Sequence, residues 1–70
     1  MTLNNEEKIS LINQHKKNNE FNKYNLQLSL VEENAVTAPN AETITSLNSQ
    51  ISECDRKLAA LAAELAGLEE

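Results

Sequence analysis

Nucleophilic and acid–base chemistry falls most naturally to thiols and imidazoles, and this chain has one of each, Cys54 and His15. A working pair needs nucleophile and base within hydrogen-bond reach, and a metal needs several ligands at set spacings. Neither residue has such a companion nearby in sequence. Cys54 is flanked by Glu53 and Asp55, whereas reactive cysteines sit in electropositive surroundings. The carboxylate pairs Glu6–Glu7 and Glu32–Glu33 are adjacent, so on a helix their side chains diverge instead of sharing a face. Gly67 is the only glycine, which leaves no phosphate-cradling loop. Lys8, Lys16, Lys17 and Lys23 beside Phe21 and Tyr24 could bind phosphate and stack a base. The patch is thin, and an acidic neighbouring segment would neutralise it. The chain is therefore expected to be no enzyme, with no cofactor, no metal site, no small-molecule ligand and no nucleic-acid role.

The elements that would position these side chains are two. From Ile44 apolar residues recur with heptad spacing: Ile44, Leu47, Ile51, Cys54, Leu58, Leu61, Leu65 and Leu68. That is the seam of a coiled-coil helix that needs a partner surface. Ala59, Ala60, Ala62, Ala63 and Ala66 add intrinsic helicity. The only proline, Pro39, breaks the pattern upstream. Asn40 can cap the helix that follows, with Thr37 as a competing cap one turn earlier. Gly67 marks its expected end.

The first half is less regular. Asn4 and Glu7 have the spacing of a capping box. Ile9 and Ile12 begin an apolar face that Leu26 and Leu30 rejoin, with Lys16, Asn19 and Lys23 interrupting it. A second stripe, Phe21, Tyr24, Leu28 and Val31, continued by Ala35, runs along another side. The alternation of Tyr24, Leu26, Leu28 and Leu30 with polar residues also fits a strand. Helix is preferred, because Leu and Gln favour it, no tight-turn dipeptide flanks the run and no second strand is available. Eight of the ten asparagines precede residue 35, so this helix should depend on tertiary contacts.

These patterns predict an all-α chain: a two-helix antiparallel coiled-coil hairpin occupying 1–70 as a single unit. Helix 1 is expected over about 5–34, the turn over about 35–40 and helix 2 over about 41–67. A turn centred near residue 37 would set Ile9 against Leu65, Ile12 near Leu61, Phe21 near Cys54 and Leu30 against Ile44. Lys16, Lys17 and Lys23 could then approach Glu53 and Asp55.

Seventy residues bury too little surface to be comfortably stable alone, and one cysteine cannot form an internal disulfide. The second apolar stripe would stay wet on an isolated hairpin. Dimerisation into a four-helix bundle, or packing on a larger assembly, would cover it. The expected role is protein–protein interaction or structural bracing. The alternative is a small acidic regulatory or inhibitory protein that sets Glu53, Asp55 and Glu64 against a basic surface of another protein. The net charge of −5 motivates it: residues 24–70 hold two basic against eight acidic groups. No apolar run reaches membrane-spanning length, and the first residues lack the pattern of a signal peptide. The expected location is the cytoplasm, or a particle assembled there.

Overall fold

A computed structural model describes residues 2–69 as two antiparallel helices, α1 (Asn5–Ala35) and α2 (Ala41–Glu69), joined by a short extended turn. The hairpin is a thin rod, 54 Å long and 19 by 14 Å across its Cα atoms. No strand occurs among the described residues.

Each helix start is fixed by asparagine. At α1 the Asn4 side chain accepts from the Glu7 backbone N–H at 2.8 Å, and the Asn4 N–H donates back to the Glu7 carboxylate at 3.2 Å. This reciprocal box satisfies two N–H groups that the helix itself cannot pair. At α2 the Asn40 side chain accepts from the Thr43 N–H at 3.0 Å, so Asn40 and not Thr37 is the cap. Glu33 decides that competition: its carboxylate accepts the Asn40 backbone N–H at 3.0 Å across the turn. The last turn of α1 thereby holds the first residue of the α2 cap. α2 continues through Gly67 to Glu69, two residues past the expected stop, and Gly67 does not adopt the positive φ of a glycine cap.

α1 is helical throughout the run that alternates like a strand. Leu26 and Leu30 are half-buried and face inward, while Tyr24, Leu28 and Val31 are exposed. Alternation here is the projection of two nearly opposite stripes on one helix. Asparagines that would disfavour the helix bond back to its own carbonyls. Asn19 donates to the His15 carbonyl at 2.8 Å and Asn34 to that of Leu30 at 3.0 Å.

Both inward rows keep heptad spacing, and the register sets Ile12 level with Leu65, Leu26 with Ile51 and Leu30 with Leu47. Ile12 shares one surface hollow with Leu61 and Leu68, and Leu26 shares another with Gln50 and Cys54. These pairs centre the turn between residues 38 and 39, later than the expected 37, although Ile12 and Leu61 line one hollow as expected. Lys23 pairs with Asp55 at 2.7 Å and Asn22 and Leu26 line the hollow that Cys54 borders, so Lys23 and not Phe21 faces this part of α2. Phe21 is 66% exposed on the far side.

Candidate interaction surface

The seam of the hairpin is one-sided in quality. α2 contributes an apolar residue to every layer: Ile44, Leu47, Ile51, Leu58, Leu61, Leu65 and Leu68 are half-buried, and Cys54 is buried at 7% exposure. Against them α1 sets isoleucine or leucine only near the two ends. Its middle layers are Lys16, Asn19 and Lys23, all half-buried, level with Leu61, Leu58 and Cys54. The lysine stems can cover apolar surface while their ammonium groups reach the edge. Lys23 does so onto Asp55, with 32% of its side chain and 53% of the aspartate still exposed. A pair that wet contributes a few tenths of a kcal/mol, and it selects the register more than it stabilises the fold.

On the other side of α1, Phe21, Tyr24, Leu28 and Val31 are 66%, 61%, 42% and 64% exposed. They occupy heptad positions roughly 150° around the axis from the seam. Between the two stripes both flanks are polar. Asn18, Asn25 and Glu32 form one row, and Glu20, Gln27 and Asn34 the other, all exposed. The opposite outer face of the hairpin, on α2, holds Ser49, Ser52, Arg56, Ala59 and Ala63, small or polar and exposed. α1 alone presents large apolar side chains outward in a continuous line.

Cys54 and His15 lie in separate hollows. His15 borders one at the open end with Lys8, Ile12, Leu61 and Glu64, and Cys54 borders one at mid-hairpin with Asn22, Leu26 and Gln50. The lysine–aromatic patch is likewise divided by the fold. Lys8, Lys16 and Lys23 lie half-buried on the side of α2, and Lys17 is the lysine beside Phe21 and Tyr24. Of the acidic residues singled out on α2, Asp55 is engaged by Lys23 and Glu53 by Arg56 on its own helix, while Glu64 borders the open-end hollow. Among the described residues no cluster of three or more His, Cys, Asp or Glu could hold a metal, and no helix is long and apolar enough to cross a membrane.

Sequence reasoning named the stripe but gave no account of its flanks. The signal was present: the asparagines and glutamines that depress helix propensity also form the polar borders. Comparison with family models, curated proteins and solved structures finds no match to this chain.

Proposed function

We propose that this chain is a noncatalytic protein-interaction module, in which α2 and the seam of α1 make the supporting hairpin and the outward stripe of α1 is the docking face. The observation that carries the reading is the line of Phe21, Tyr24, Leu28 and Val31, 42–66% exposed on the side of α1 away from its only helical neighbour. Isolated exposed apolar residues are ordinary, but a heptad-spaced row framed by polar flanks is the pattern of a helix prepared for a second helix. The side chains are also suited to the task, since Tyr and Phe bring large contact area at little conformational cost.

The surface area supports the same reading. The chain exposes 5351 Å², against about 4,400 Å² for a compact monomer of its mass. The excess of roughly 1,000 Å² reflects a two-helix rod 54 Å long and 19 by 14 Å across, with no third element among the described residues to cover the stripe.

Site-specific photocrosslinking tests the proposal. A photoreactive amino acid in place of Tyr24 should give protein adducts in cells, and one in place of Ser52 on the outer face of α2 should not. Equal labelling from both positions, or none from position 24, would refute the docking face.

A further inference from the structure

We infer that the occupant of the outward stripe is the same stripe of a second copy, with the two α1 helices antiparallel and a two-fold axis passing level with Leu26. This rests on the docking-face reading and names its partner.

The stripe is complementary to itself. Reversed on its own image about residue 26, Phe21 falls level with the partner's Val31 and Tyr24 with the partner's Leu28, so every layer sets an aromatic against an aliphatic. Such alternation of large and small side chains lets facing layers interdigitate. The flanks agree: Glu20 falls beside the partner's Asn34, Glu32 beside the partner's Asn18, and Gln27 beside the partner's Gln27. Carboxylates meet carboxamides, and no pair of like charges faces across the seam, although each chain carries a net charge of −5.

Direction follows from Lys17, the residue that extends the stripe toward the N-terminus. In a parallel pair Lys17 would confront the partner's Lys17, and the next layers would be Gln14 and Ser10, all exposed polar residues. In the antiparallel pair Lys17 lies level with the partner's Ala35, and contact ends where α1 ends. The antiparallel arrangement thus uses the apolar part of the stripe and stops at its boundaries.

The angle between seam and stripe then sets the assembly. Helices in a square bundle meet their two neighbours about 90° apart, whereas the two apolar lines of α1 are roughly 150° apart. Four helices therefore form an open row, α2–α1–α1–α2, with the Asn, Gln and Glu flanks of the inner pair wet on both surfaces.

Cysteine crosslinking in a Cys54→Ala background reads the geometry directly. With a short bismaleimide, Gln27→Cys should link to itself. Glu20→Cys and Asn34→Cys should link only when the two variants are mixed, because Glu20 of the two copies lies about 18 Å apart along the axis. Self-linking of Glu20→Cys would overturn the antiparallel pair. Sedimentation of the unaltered chain gives a measurement independent of the cysteine variants: it should pass from monomer to dimer at micromolar concentration, and Tyr24→Lys with Leu28→Lys should remove the dimer. A chain that stays monomeric at all concentrations overturns self-pairing. If that monomer still gives position-24 adducts with a different protein, the docking face stands and the second copy does not.

Discussion

α1 and α2 solve opposite problems with similar lengths of chain. α2 concentrates its apolar residues into one unbroken seam and leaves its outer face to serine, arginine and alanine. α1 divides them, with a seam interrupted at Lys16, Asn19 and Lys23 and a second line on its far side. The division leaves α1 with almost no net amphipathic direction, since two opposite stripes cancel. One helix turns its apolar residues to a single neighbour, and the other divides them between that neighbour and an exposed face. A helix that gives part of its apolar capacity to an outer face weakens its inner one, so the hairpin should be strong at its ends and soft at its centre.

The largest expected effect breaks that comparison along the length of the rod. Ile51→Asp places a carboxylate in an apolar layer opposite Leu26, with Leu30 and Leu47 in one adjoining layer and only Lys23, already paired with Asp55, in the other. Loss of the side chain alone costs about 2–3 kcal/mol at such a position, and burial of the charge adds to it. Leu58→Asp, by contrast, lands opposite Asn19 with Lys16 and Lys23 in the adjoining layers. Its charge lies between Lys16 and Lys23, the latter shared with Asp55, and these offset part of the same loss. Urea denaturation followed by circular dichroism should show Ile51→Asp unfolded or nearly so and Leu58→Asp retaining more stability. Equal losses would mean that the centre of the seam is as apolar in effect as its ends.

The same contrast can be sharpened by repair. Replacing Lys16 and Asn19 with leucine completes two layers opposite Leu61 and Leu58. Each substitution should raise stability by on the order of 1 kcal/mol through added apolar burial. For a domain this small that corresponds to a rise in Tm of about 4–8 °C per kcal/mol. Lys23 is better left in place, because its bond to Asp55 at 2.7 Å fixes the register at low cost. A repaired seam with no gain in Tm would show that the lysine stem already covers the leucines it faces.

The hairpin was legible in the sequence, and its register was not. α2 follows from one heptad repeat and a proline–asparagine start, both of which are local signals. The turn position depended on whether Thr37 or Asn40 capped α2, and that was settled by Glu33, seven residues earlier in the chain, accepting the Asn40 N–H. No local pattern encodes such a contact. Phe21 is expected near Cys54 if the turn is centred near residue 37. The structure gives the inward place to Lys23 and leaves Phe21 outside.

The smallest expected effect concerns the end of α2, where the committed helix is weakest. Gly67 lies inside the helix without positive φ, and a Cβ built there meets nothing within 4 Å. Gly67→Ala therefore adds no clash and removes backbone freedom from the unfolded chain. In a helix interior that exchange stabilises by up to about 1 kcal/mol, and less in a last turn that frays. The gain should be a few tenths of a kcal/mol, seen as a slightly higher Tm and slower amide exchange around Leu65 and Leu68. Both residues belong to the seam and lie far from the outward stripe, so self-association should be unchanged. A shift in the monomer–dimer equilibrium with Gly67→Ala would mean that the open end of the rod takes part in the contact between copies, against the limits set by Lys17 and Ala35.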